Sequence, residues 1–471
     1  MTHIAEATVM PDVRFDADLV ARYDSRGPRY TSYPTALQFS ESFSAEDYSR
    51  HALASNKVTG PRPLALYVHI PFCRALCYYC ACTKIVTRNE QRVGNYLDSL
   101  RRELALQAAL YDRQRVVEQL HFGGGTPTYL SADQFAALMA DIRTNFNLKR
   151  SDDREFSIEV DPRGVEPQMI DTLAELGFNR LSLGIQDFDP AVQAAVNRRQ
   201  SCEAVSCLVE RARAAGFSSI SFDLIYGLPH QTTGSFSRTL QQVIDLAPDR
   251  LAVYNYAHLP ERFRGQRMIS RSDLPQANEK LEILGLAIEQ LTSASYIYIG
   301  MDHFALPHDE LARARERGEL HRNFQGYSTH KSCDLIGVGL SAISNVGGCY
   351  VQNAATTAGY EEPLENGRLP VTRGIELTPD DELRAAVIQK LMCYGRIDYE
   401  RFESEFNLDF RDYFSDALKR LGPLLADGLV LSDPGGIEVT PDGKLLLRSI
   451  AMAFDGYLNA AAPMSPHSAV I

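Results

Sequence analysis

The sequence predicts an α/β protein built on a partial or complete (β/α) barrel, preceded by an N-terminal arm and followed by a small, mostly helical C-terminal domain. Three observations carry this expectation. From Pro61 onward, six short runs rich in β-branched and aromatic residues alternate with longer amphipathic ones. Nearly every short run ends in a polar or Gly-rich step. Four of the nine cysteines fall within ten residues, directly after the first run.

The elements follow in order. Residues 1–60 read as an arm with a little helix. PRYTSYPTALQF (28–39) has the Pro, Ser, Thr and Tyr content of an irregular surface segment, and SAEDYSRHALAS then offers a Ser cap and an acidic first turn. The strand candidates are 65–70, 117–122, 155–160, 180–185, 219–226 and 250–256. Between them lie helical patterns such as VGNYLDSLRRELALQ and CEAVSCLVERARAAG. Such alternation implies right-handed βαβ units and a parallel sheet; a doubly wound open sheet is the main alternative. The strand ends read HIPFC, HFGGGTP, EVDP, GIQDF, FDLIYGLP and NYAHLP. In α/β barrels these C-terminal ends carry the chemistry, although Gly and Pro also serve simply to turn the chain. YIYIGMDHFALP suggests one more strand, 370–380 a linker, and the remainder helices with a hairpin at DPGGIEVTPDGK. The expected domains are therefore 1–60, 61–370 and 371–471.

With 60 acidic and 48 basic side chains, the net charge is −12. No net positive field draws in nucleic acid or anionic membranes. The N-terminus lacks a basic region followed by an apolar run, and no stretch is long and apolar enough to span a bilayer. The expectation is a cytoplasmic protein with no membrane insertion, where disulfides are disfavoured. A tight cysteine cluster then reads as a metal or cofactor site, and the scattered five (Cys202, Cys207, Cys333, Cys349, Cys393) as buried or inert thiols.

The cluster reads Cys73-x3-Cys77-x2-Cys80-x-Cys82. Zinc usually takes ligand pairs from separate places, whereas a [4Fe–4S] cluster takes thiolates, ordinarily four. If three are supplied, one iron is left open as a Lewis-acidic site able to chelate an amino and a carboxylate group. Cys82 is either a fourth ligand or an unligated thiol beside that iron. Gly123-Gly124-Gly125 at the second strand end allows close backbone approach of a ligand, or simply a tight turn. It is neither a G-x-G-x-x-G fingerprint nor a P-loop. Glu159, Gln186 and Asp223 sit at or near the ends of strands three to five, with Arg198 close by. Carboxylates suit ribose hydroxyls and an arginine suits a carboxylate ligand, though each could equally bridge loops.

With these residues in view, the sequence resembles the oxygen-independent coproporphyrinogen III dehydrogenases (oxidases), radical S-adenosylmethionine (SAM) enzymes of haem biosynthesis. The likeness spans nearly the whole chain: PRYTSYPTALQF, YVHIPFCRALCYYCACTKIVTR, HFGGGTPTYL, IEVDPR, GIQDF, VNRRQ, FDLIYGLP, NYAHLPERF, IGMDHFALP and NFQGYSTHKSCDLIGVGLSAIS. The resemblance implies a barrel of the radical SAM type, with Cys73, Cys77 and Cys80 holding a [4Fe–4S] cluster and Cys82 a non-ligating, catalytic cysteine. It implies two SAM molecules. Tyr67, Tyr79, Gly124, Glu159 and Ile343 would line the first, on the open iron. Gly125, Thr126, Gln186, Arg198, Asp223 and Ala257 would line the second. Tyr79 stands where the family often has Phe, and stacking survives that change.

The implied reaction converts two propionates of coproporphyrinogen III to vinyl groups, giving protoporphyrinogen IX. A 5′-deoxyadenosyl radical made from SAM takes a β-hydrogen; CO2 and one further electron then leave. The implied partners are this substrate and an electron donor such as flavodoxin or ferredoxin, and the implied state is a monomer. Four substrate carboxylates call for basic groups, for which Arg29, Arg262, Arg264, Arg267, Arg322 and Lys331 are candidates. The arm with Tyr30 and Tyr33 is expected to fold over the barrel mouth as a lid. Two other readings remain: a haem-binding chaperone on the same scaffold, against which Cys82 and the arm speak, and a redox protein using all four thiols.

Overall fold

The computed structural model describes residues 12–23, 26–330 and 333–460. All six expected strands form: β1 (Leu64–Ile70), β2 (Val116–Gly124), β3 (Glu155–Val160), β4 (Arg180–Gln186), β5 (Ser219–Tyr226) and β6 (Arg250–Asn255). The expected amphipathic segments between them are helices, among them α2 (Glu90–Ala108), α3 (Ala132–Asn145) and α4 (Cys202–Ala214). An earlier helix, α1 (Ala45–Ser55), opens with a capping box in which Ser44 and Asp47 satisfy each other's backbone N–H groups.

β1 to β6 lie side by side in chain order, and every neighbouring pair is parallel. A doubly wound sheet needs a reversal of strand order, and none occurs here. The path continues beyond β6 into two short strands, β7 (Ile297–Gly300) and β8 (His303–Ala305), where the sequence suggested one. Beyond β1 it continues into β9 (Asp334–Val338), β10 (Ile343–Val346), β11 (Cys349–Asn353) and β12 (Val371–Glu376). The path has two ends, β7 and β12, with no pairing between them, which is the partial form of the barrel. β12 corrects the expected linker at 370–380. Its backbone completes the edge of β11 in antiparallel register, so the segment belongs to the sheet.

Side-chain alternation decides what the barrel encloses. Leu66, Val68, Leu120, Phe122, Ile158, Leu183 and Phe222 are buried with helix residues such as Leu100 and Phe135 in one apolar cluster. The alternate positions are polar, and register aligns them across strands. Tyr67 faces His121, His121 faces Ser157, Glu159 faces Ser182, and Gly184 faces Asp223. The concave face is therefore a polar cavity rather than a packed core.

A second apolar cluster lies in the C-terminal region, where α5 (Pro379–Tyr394) packs with Phe402, Phe410, Phe414 and Phe454. The expected hairpin forms, Val430–Asp433 against Gly436–Val439, its turn held by Asp433 accepting from the N–H groups of Gly435 and Gly436. The arm joins this cluster. Tyr30 and Tyr33 are both buried there; the Tyr30 hydroxyl donates to Asp455 at 2.9 Å, and the Tyr33 hydroxyl accepts from Gly456 N–H at 2.9 Å. These tyrosines anchor the arm on the C-terminal region, while their neighbour Arg29 reaches the barrel, pairing with Asp302 and lying over the Tyr254 ring. Of the five scattered cysteines, Cys349 and Cys393 are buried, Cys202 and Cys333 half-buried, and Cys207 is exposed. No helix among the described residues is long and apolar enough to cross a membrane.

Candidate active site

The cysteine loop leaves β1 and is closed at its base by a short parallel ladder between Phe72–Cys73 and Ile85–Val86. Cys80 N–H donates to Cys77 O, a tight turn that brings the last three cysteines to one side. Tyr78 N–H donates to Val196 O, and the Asn197 amide donates to Leu76 O at 2.7 Å, docking the loop on the segment after β4. Lys84 caps the Cys80 carbonyl at 2.9 Å.

All four cysteines line a cavity of about 510 Å³ at the C-terminal strand ends. Contributions come from β2 through β6, the last through Tyr254, and from the loop that follows β1. Cys77 Sγ lies 3.1 Å from Arg163 Nη2 and 3.5 Å from Arg198 Nη1, so two guanidiniums stabilise negative charge on that sulfur. Asp161 pairs with both arginines, which fixes their orientation. Burial pushes the Cys73 thiol up to about 11, opposed by a hydrogen bond with Thr126. The Cys82 hydrogen bond pulls Cys80 down to about 6, assisted by Lys84.

The donor set discriminates between metals. A tetrahedral zinc holds its sulfurs roughly 3.8 Å apart. Among the described residues, only Glu118, His330 and Cys333 bring three ligand atoms within 4.8 Å of one another. The loop cysteines share one cavity, and no three of their sulfurs lie within 4.8 Å of one another. Several thiols from one loop facing one cavity are the donor set of an iron–sulfur cluster, one thiolate per ligated iron.

Of the sequence-predicted residues, Tyr79, Gly124, Gly125 and Thr126 line this cavity. So do Glu159, Gln186, Arg198 and Asp223. The buried atoms Gln186 Oε1, Arg198 Nε and Thr128 Oγ1 have no protein partner there, which suits a polar ligand. Three predicted residues do not line it. Tyr67 stacks on His121 at 5.8 Å and hydrogen-bonds His69 Nδ1 at 2.9 Å. Ala257 accepts from Gln266, which also donates to the Tyr79 carbonyl. The Ile343 carbonyl packs against Gly337, the register partner of Tyr67.

The glycine triplet makes room for the protein's own side chains. A Cβ on Gly123 would lie 2.7 Å from Glu159 Oε1. Gly124, at φ +117°, would collide with the His69 ring. Gly124 N–H donates to Glu159 Oε2 at 3.1 Å, and His121 Nε2 lies 3.2 Å from Oε1. Burial alone would raise the Glu159 pKa, but these contacts outweigh it and the carboxyl is lowered. Asp223, with Ser182 as its hydrogen-bond donor, is pushed up to about 7 by burial and then by the Glu159 charge. One carboxylate of the pair stays ionised while the other holds a proton near neutrality.

Sequence reasoning missed Asp161, Arg163 and Tyr254. The first two stand in the quoted IEVDPR, and their sequence signal was the charge at a strand end. Of the basic candidates, Arg262, Arg264 and Arg267 are exposed, Arg29 is half-buried and Arg322 buried; Lys331 lies outside the described residues.

Residues 67–243, which include the thiol loop, match the radical SAM superfamily, and residues 377–446 match the HemN C-terminal domain. The oxygen-independent coproporphyrinogen III oxidase of Pseudomonas aeruginosa is 52% identical over 96% of this chain and 97% of its own length. The chain belongs to the oxygen-independent coproporphyrinogen III oxidase family. The Escherichia coli member is 50% identical over 98% of this chain and 99% of its own. A solved structure described as coproporphyrinogen III oxidase (HemN) from Escherichia coli, a radical SAM enzyme, superposes with a TM-score of 0.89. That match covers 95% of this chain and 100% of the other, at 50% identity. Membership in this oxidase family and the radical SAM match imply a [4Fe–4S] cluster and SAM.

Proposed function

We propose that this chain, as a coproporphyrinogen III oxidase, decarboxylates two propionates of coproporphyrinogen III oxidatively to vinyl groups, giving protoporphyrinogen IX without oxygen. The observation that carries the reading is the thiol loop opening onto a cavity with unpartnered polar atoms, in a chain half-identical to these oxidases along nearly its full length. Cys73, Cys77 and Cys80 would hold the cluster, and Cys82 stays unligated beside it. When bound, cluster and SAM supply a 5′-deoxyadenosyl radical able to take hydrogen from an unactivated carbon.

The chain's residues provide the rest. Arg163 and Arg198 stabilise thiolate charge on Cys77. Gly124, Glu159 and Tyr79 line the first SAM position, flanked by Tyr67 and Ile343. Gly125, Thr126, Gln186, Arg198 and Asp223 line a second, bounded by Ala257. The polar barrel wall orients the substrate and keeps the radical from bulk water. An electron donor of the flavodoxin or ferredoxin class, a monomeric state and a cytoplasmic location complete the reading.

The test is anaerobic incubation of the reconstituted protein with SAM, a reductant and coproporphyrinogen III. Protoporphyrinogen IX, CO2 and 5′-deoxyadenosine are expected, with two SAM consumed per product. Absence of 5′-deoxyadenosine and CO2 would overturn the reading. Equilibrium dialysis with labelled SAM checks the second site, for which two equivalents per chain are expected.

A further inference from the structure

Beyond the cluster cavity the barrel holds a guanidinium without a counter-charge. Arg322, in the short strand His321–Asn323, is 3% exposed, yet its Nε and Nη1 have no hydrogen-bond partner. Its Cζ lies 4.8 Å from the centroid of the Tyr327 ring. Tyr327 meets His303 edge-on at 5.2 Å, and His303 meets Tyr254 edge-on at 6.0 Å. Over Tyr254, at 5.7 Å, lies a second guanidinium, Arg29, paired with Asp302. An aromatic stack of three rings thus carries a cation at each end.

This stack lines a smaller cavity of about 140 Å³, which shares Tyr254, Asp223, Ser182 and Glu159 with the cluster cavity. The cations that line that inner cavity are matched by the protein: Arg180 pairs with Glu310, and Arg250 with Asp309. Arg322 is not matched in this way. Burial, followed by the charges of Arg322 and Arg29, keeps the His303 ring neutral, and its Nδ1 is also unpartnered. A buried cation with free N–H groups, separated from a reactive cavity by the Tyr327 ring that lines it, is a site for an anion that arrives with the substrate.

The reaction says which carboxylate this is. Decarboxylation turns a carboxylate into neutral CO2, so a cation gripping the reacting group would stabilise the ground state over the transition state. Resting on the function proposed above, we propose that Arg322 and Arg29, spaced by the Tyr254–His303–Tyr327 stack, bind the propionates that survive the reaction. They thereby set which propionates face the radical.

Product and substrate share the surviving propionates, and this gives the test. In reconstituted protein, Arg322→Gln should raise KM for coproporphyrinogen III and Ki for protoporphyrinogen IX by similar factors, about tenfold or more. Iron content and SAM cleavage in the absence of substrate should not change, and Arg322→Lys should recover part of the affinity. Unchanged KM and Ki would overturn the proposal. A raised KM with unchanged Ki would also overturn it, because the arginine would then hold a reacting propionate. If Arg322→Gln loses iron or folds poorly, the same two constants are read on Arg29→Gln, with the same outcomes deciding. Failure of the wild-type protein to release CO2 would instead strike the proposed function.

Discussion

Two buried carboxyl groups, one behind the sheet and one at the barrel mouth, are both pushed up to about 7 by burial, yet they mean different things. Glu103, on α2, is fully enclosed and accepts from Tyr360 OH at 2.5 Å, Asn353 Nδ2 at 2.7 Å and Gly339 N–H at 2.8 Å. It ties α2 to the segment after β9 and has no open space beside it. Asp223 accepts from Ser182 at 3.1 Å and faces two connected cavities. A perturbed pKa alone does not identify a functional group. The distinguishing feature is whether the protein has already supplied the partners.

The comparison can be tested from its strongest side downward. Cys77→Ala at the mouth should abolish cluster absorbance and all SAM cleavage, while the folded chain persists; iron analysis and thermal unfolding check this. Cys82→Ser should keep iron and substrate-free SAM cleavage but reduce decarboxylation about 100-fold or more, as expected for loss of a group acting on the reacting atoms. Loss of iron in that variant would instead make Cys82 a ligand.

The two carboxyl groups should then separate. Glu103→Ala leaves three buried donors unpaired and should cost about 3 kcal/mol or more in denaturant unfolding. Asp223→Asn retains an acceptor for Ser182 and, at a pH low enough to keep Asp223 protonated in both folded and unfolded chains, should change stability by less than about 1 kcal/mol. Its SAM affinity should nevertheless fall about tenfold or more, measured by dialysis. Equal stability losses for the two variants would erase the distinction.

The smallest expected effect is on pH dependence. Both groups keep a proton in the folded chain at pH values where the unfolded chain has lost it. Their contribution is therefore fully present below the ordinary carboxylate pKa and declines as pH rises through about 7. Unfolding of the ligand-free wild type should show this decline, and Asp223→Asn should show a shallower one, with the Glu103 part remaining.

Much of this was legible in the sequence because it is local. The six strands carry a period-two pattern, and His121, Ser157, Glu159, Ser182 and Asp223 are the polar alternates within it. The cysteine loop is a single stretch of chain whose spacing speaks for itself. Legibility failed where pairing is distant. β12 looked like a linker because an edge strand is stabilised by its neighbour's backbone, not by its own composition. The anchorage of the arm was not legible because Asp455 and Gly456, which hold its tyrosines, lie at the other end of the sequence.

By itself, then, the sequence determined the α/β class, the six strands along the chain, the thiol set and the family. Only the tertiary structure decided that the barrel stays open, that Asp161 and Arg163 stand behind Cys77, and that Arg322 lies buried without a carboxylate. The physical reason is one of range. Periodicity and spacing act over a few residues along the chain, whereas charge balance and desolvation are set by whatever folding brings within a few ångströms.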